Sequence, residues 1–116
     1  MQPVRRGDVV WFEPDPVRGS EQAGRRPAIV VSRDAINRAS PVVVVVPITT
    51  YRGQPLYPSD VRINSPEGGL RQDSVGLGLH VRGVDRARLG PAIGRLSAAL
   101  LAQLERALLE VLDIET

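Results

Sequence analysis

Two short stretches of this chain carry residues whose types fit work on a phosphate group. Arg25-Arg26-Pro27 closes a Pro- and Gly-bearing loop and opens an apolar run, and Thr49-Thr50 ends a second apolar run. A guanidinium is planar, permanently charged and rich in fixed donors, so it can hold two phosphoryl oxygens at once. Pro27 biases Arg26 toward extended backbone, which fixes the direction from which its side chain approaches. Upstream in the same loop stand Arg18 and Ser20-Glu21-Gln22. A second loop follows Thr50 and holds Tyr51, Arg52 and Tyr57, two rings and a cation able to stack on flat ligands. Blander readings stay open at this point. Arg26 can be a surface arginine paired with an acid such as Glu21, and threonine is in any case a good strand former.

Composition narrows the chemistry. There is no cysteine and one histidine, His80, in 116 residues. Thiol nucleophiles, disulfides and cysteine or multi-histidine metal sites are therefore excluded, and neither a metal nor a cofactor is expected. All 15 basic residues are arginine, and the net charge is only +2. The distribution is uneven: residues 1–100 carry 14 Arg against nine acids, whereas 101–116 carry one Arg against four. Arginine without lysine fits either a GC-rich genome or a phosphate-binding surface, and the totals do not separate the two. No run of about 18 apolar residues is present, so no membrane span is expected and a cytoplasmic location is.

The chain length suits one domain over 1–116. Gly7–Glu13 reads as a first strand, 14–25 as a loop, and Arg26–Ser32 as a second strand. Asp34–Ala39 makes a helical turn. Pro41–Thr50, with Val42–Val46 consecutive, predicts a strand buried on both faces, and Pro47 predicts a bulge or the point where pairing stops. A loop over 51–60 precedes a short strand at Asp60–Asn64 and a turn at 65–69. Gln72–Leu79 reads as a strand continued by Val81–Val84, with Gly76 and Gly78 on one face. Asp85–Leu89 reads as a turn of helix and Ala92–Leu96 as a last strand. Ser97 is a good N-cap, and the stripe Leu100, Leu101, Leu104, Leu108, Val111 and Leu112 predicts a helix to about Asp113. The expected fold is mainly β: a small, strongly bent barrel filled by its own side chains, with a C-terminal helix. Binding must then occur on rim loops.

Arg6-Gly7-Asp8-Val9, Gly19-Ser20-Glu21-Gln22, Arg26-Pro27-Ala28-Ile29-Val30-Val31-Ser32, Pro47-Ile48-Thr49, Asp73-Ser74-Val75 and Val81-Arg82-Gly83-Val84-Asp85 occur in this order. The ordered set resembles the PemK/MazF endoribonuclease toxins of type II toxin–antitoxin modules, from about Arg5 through the C-terminal helix. That resemblance implies an SH3-like barrel of the plasmid-maintenance toxin type, a homodimer, and metal-independent cleavage of single-stranded RNA at short motifs. It implies catalytic roles for Arg26 and Thr49, with Ser20 beside them. It also implies inhibition by a cognate antitoxin whose acidic tail lies across the active-site groove.

RNA binding is then expected of Glu21, Gln22, Arg18, Arg25, Thr50, Tyr51, Arg52, Tyr57 and Arg82. His80 joins them at a position where the family often carries glutamine or another polar residue. It is either a satisfied rim histidine or a group that reads a base edge or assists proton transfer. The same fold also serves gyrase-poisoning toxins that cut nothing, and a catalytically inactive RNA-binding module is a further alternative.

Overall fold

The computed structural model describes residues 3–13 and 25–115. Seven strands form one sheet: β1 (Asp8–Phe12), β2 (Arg26–Val30), β3 (Val42–Thr50), β4 (Asp60–Ile63), β5 (Ser74–Leu77), β6 (Arg82–Asp85) and β7 (Leu89–Arg95). Helix α1 (Asp34–Ala39) links β2 to β3, and α2 (Ala98–Leu112) follows β7. The strand order is β4-β5-β3-β2-β1-β7, with β6 also paired to β3. All pairings are antiparallel.

Side chains alternate across a strand, so consecutive apolar residues feed two cores. Val9, Ile29, Val46 and Ile48 point to one face and pack with Val61, Ile63, Leu104 and Ala107. Val10, Phe12, Ala28, Val30, Val43 and Val45 point to the other face and pack with Val84. The valine run is thus buried on both faces over most of its length. Its first residue departs from the expectation: Val42 is 47% exposed.

Proline 47 stands where pairing changes. The β2–β3 register runs Val30↔Val45, Ile29↔Val46, Ala28↔Pro47 and ends there. On the opposite edge β3 pairs with β6 over Val42–Val45 and with β5 over Ile48–Thr50. A residue without an N–H sits in the gap, as a ladder interruption requires.

The expectation of one strand running from Gln72 through Val84 needs correction. β5 stops at Leu77, a 3-10 turn occupies Gly78–His80, and β6 begins at Arg82. The cause is a tertiary contact. Gly78 N donates to Ser59 O at 3.0 Å, and a Cβ on Gly78 would lie 2.4 Å from that oxygen. Gly78 therefore leaves the strand face that it was expected to share with Gly76. The last strand is also longer than expected and opens at Leu89, directly after a 3-10 turn at Arg86–Arg88.

The barrel is not closed. β4 and β7 end the strand order and do not pair with each other. The turn Glu67–Gly69 packs across the gap instead, where Ser97 N donates to Glu67 Oε1 at 2.7 Å. Gly69 has φ +77° and its Cβ position lies 2.4 Å from Ile93 O, so only glycine fits.

Ser97 caps α2, its Oγ accepting from Leu100 N at 3.2 Å; such caps contribute about 1 kcal/mol. The helix buries Leu104 and Ala107, a fully buried leucine contributing about 1.5–3 kcal/mol. Leu112, expected on the buried stripe, is 58% exposed. Asp113, at the end, adopts the left-handed region with φ 54°. No helix among the described residues is long and apolar enough to cross a membrane.

Candidate functional site

Strand register assembles the candidate residues. Phe12 pairs with Arg26 across β1 and β2. The β2–β3 pairing ends at Ala28↔Pro47, and side-chain alternation beyond that pair puts Arg26 and Thr49 on the face of Ala28. Thr49 pairs with Val75, and Val75 pairs with Arg62. Directly opposed residues of antiparallel strands share a face. Phe12, Arg26, Thr49, Val75 and Arg62 therefore form one lateral row across five strands, on the face whose core holds Val10, Ala28 and Val45.

Arg82, on β6, lies outside the row but reaches its Phe12 end. It pairs with Val45, and its guanidinium carbon lies 5.5 Å from the Phe12 ring centroid. Arg26 is exposed at the first position of β2. Rigid strand on one side and Pro27 within it hold that position. Thr49 is half-buried, and its hydroxyl makes no hydrogen bond with the described residues.

Thr50 points the other way. Its hydroxyl donates to Gln72 Oε1 at 3.2 Å, on the face opposite Thr49. Tyr51 returns to the row's face. Its N–H donates to Asp73 O at 2.8 Å, and Arg62 stacks over its ring at 4.2 Å. Arg62 also faces the Asp73 carboxylate at 3.8 Å.

Arg52 is exposed in a loop held by Gln54, which accepts Arg52 N at 2.6 Å and donates to Thr50 O at 3.3 Å. Tyr57 is 71% exposed; its N–H donates to Asp60 Oδ2 at 2.9 Å. His80 is exposed at the end of the 3-10 turn that separates β5 from β6. That turn is tied to Ser59, so it borders the loop of Arg52 and Tyr57. Arg25 is exposed just before β2. Arg18, Ser20, Glu21 and Gln22 lie outside the described residues.

Arg26 and Thr49 thus share a face. A depression of about 930 Å³ lies along β7 and the N-terminal segment, bounded by Arg5, Asp8, Arg86, Pro91 and Arg95. None of the described candidate residues borders it. A row with guanidinium groups on either side of a threonine hydroxyl can hold an extended polyanion and present donors to one phosphate. Arg62 was not among the residues expected from sequence. The apolar–polar alternation of Asp60-Val61-Arg62-Ile63 does put it opposite the two buried residues, but alternation alone says nothing of what lies beside it.

Residues 5–112 match the family model described as PemK-like, MazF-like toxin of type II toxin–antitoxin systems. The chain belongs to this family. It is 39% identical over 116 residues to endoribonuclease MazF9 of Mycobacterium tuberculosis, covering 96% of this chain and 98% of that one. It is 37% identical over 105 residues to endoribonuclease EndoA of Bacillus subtilis, covering 90% of each. The fold is similar to that of MazF in a crystal structure of MazE–MazF from Deinococcus radiodurans. That match has a TM-score of 0.82 and 28% identity, and it covers 99% of this chain and all of the other.

Proposed function

We propose that this toxin is an endoribonuclease, its residues 1–116 forming one catalytic domain that cuts single-stranded RNA at short motifs without a metal. RNA carries its own nucleophile. The 2′-oxygen bonds to phosphorus, the bond to the 5′-oxygen breaks, and the 2′-hydroxyl proton ends on the departing oxygen. The products are a 2′,3′-cyclic phosphate and a 5′-hydroxyl.

The protein must stabilise the crowded, charged phosphorane and help the proton leave. Arg26 donates to the equatorial oxygens. A guanidinium has donors and no acceptor, so its role is to stabilise charge rather than to act as base. Thr49, and Ser20 beside it, donate to the scissile phosphate or orient the 2′-hydroxyl. Arg18, Arg25, Arg52 and Arg82 contact flanking phosphates. Tyr51 and Tyr57 stack on splayed bases, and Glu21, Gln22 and His80 contact base edges. The observation that carries this reading is the shared sheet face of Arg26 and Thr49 in a chain of this family.

A cognate antitoxin with an acidic tail competes for the same arginines. The toxin works as a homodimer in the cytoplasm, where messenger RNA is exposed. The test is incubation of purified protein with a long RNA and a matching DNA in EDTA. Discrete RNA cuts bearing cyclic phosphate ends, with the DNA intact, are expected. RNA left whole, or DNA cut despite lacking the 2′-hydroxyl, overturns the reading.

A further inference from the structure

Arginine 62 is held in a manner that charge pairing alone does not explain. Its ion pair with Asp73 is long, 3.8 Å, between side chains 45% and 48% exposed, and exposed pairs contribute little. The ring of Tyr51 lies under the guanidinium at 4.2 Å. Tyr51 and Asp73 are themselves joined, Tyr51 N donating to Asp73 O at 2.8 Å. Asp73 Oδ1 is further fixed by Ser65 N at 2.9 Å. The guanidinium is thereby held by two supports that are bonded to each other, while nearly half of the side chain stays open to solvent.

Its location matters as much. Arg62 and Thr49 oppose the same residue, Val75, from either side. Arg62 therefore lies two strand spacings from Thr49 on one face, about 10 Å at 4.7–4.9 Å per strand. β4 ends the strand order, and Arg62 also borders a groove of about 460 Å³ whose other walls include Leu56, Pro58, Gln103 and Arg106. At the opposite end of the row a second arginine, Arg82, lies over a second ring, Phe12.

We infer that Arg62 is a base-stacking platform: its outer face takes the base of one nucleotide flanking the scissile phosphate, and so contributes to motif choice. A guanidinium already stacked on a tyrosine offers a flat cation with little freedom left to lose, and unpaired RNA bases stack on such planes. Tyr51 and Asp73 act through it as positioning residues. This inference rests on the endoribonuclease reading above.

The test compares the parent protein with R62A and R62K on a short RNA containing the parent's own cleavage motif. KM, kcat, melting temperature and cut-site preference by end sequencing are measured for each. R62A should raise KM roughly ten- to a hundredfold, the range expected for loss of one stacking contact. It should leave kcat and melting temperature near parent values and relax the preference at one flanking base. R62K, which keeps the charge but not the plane, should relax the same base preference. If R62A matches the parent in both KM and preference, or if R62K restores both in full, the platform is refuted while the endoribonuclease reading stands. If the parent cuts no RNA, both fall together.

Discussion

Replacing Thr49 with valine separates chemistry from folding at a single hydroxyl. Valine keeps the branched shape and the strand preference of threonine. The hydroxyl makes no hydrogen bond with the described residues, so its loss leaves no described partner unsatisfied. A half-buried substitution of this kind should change stability by no more than about 0.5 kcal/mol. For a domain of 116 residues that is a shift of about 2 °C in melting temperature. The effect on rate should be far larger. Removing one donor aimed at developing charge typically costs about 10²–10³ in kcat, or about 2.7–4 kcal/mol of transition-state stabilisation. T50V supplies the contrast. Thr50 faces the other way and spends its hydroxyl on Gln72 at 3.2 Å, so its loss should lower kcat far less. The assay is single-turnover cleavage of a defined RNA with enzyme in excess, alongside thermal melts of all three proteins. A T49V protein that melts like the parent and cuts within about threefold of its rate would refute the assignment of Thr49 to the reacting phosphate.

Other outcomes follow from the same geometry. R26K keeps the charge but loses the planar fork, and should lower single-turnover rate by about 10²-fold with an unchanged melt. R52A removes an exposed cation from the Gln54-held loop, and should reduce the slope of log KM against log salt by about 0.7, the share of one single-strand phosphate, with kcat unaltered. The Asp34 carboxyl is held below its ordinary range, chiefly by the Arg6 N–H that donates to it, with Asn37, Arg38 and Arg5 adding to the effect. A depressed carboxylate stabilises the fold above its unfolded pKa and loses that stabilisation as pH falls through its folded pKa. D34N should therefore melt below the parent at neutral pH, with the gap shrinking as pH falls beneath the ordinary carboxylate range; a gap constant across pH would refute the linkage.

Local periodicity made much of the fold legible. The stripe of Leu100, Leu104 and Leu108 after Ser97 can be accommodated only by an amphipathic helix, and α2 starts where that cap requires. Alternation and β-branching likewise marked β1, β2 and β3. The break between β5 and β6 was not legible, because Val75 through Val84 carries no local stop. What ends β5 is Ser59, bonded to Gly78 from nineteen residues away in the chain. Barrel closure failed to be legible for a related reason. Whether edge strands pair or merely approach depends on how the turn Glu67–Gly69 packs on β7, a long-range contact with no sequence period.

The same distinction governs the site. Arg26 and Thr49 stood out because each ends an apolar run, a local property. That they share a face follows from parity, since 26 and 28 alternate with 27 as 47 and 49 alternate with 48, once the single pairing Ala28↔Pro47 is known. Arg62 needed two further registers, Thr49↔Val75 and Arg62↔Val75, before its place in the row could be stated. One-residue slips in either register would send it to the opposite face, into the core that Leu104 and Ala107 share. The buried pair Val61 and Ile63 resists that slip, because it would carry both side chains out of the core that Leu104 and Ala107 complete. The apolar residues of β4 thus hold Arg62 on the row's face, and the packing that stabilises the sheet is also what aims the arginine.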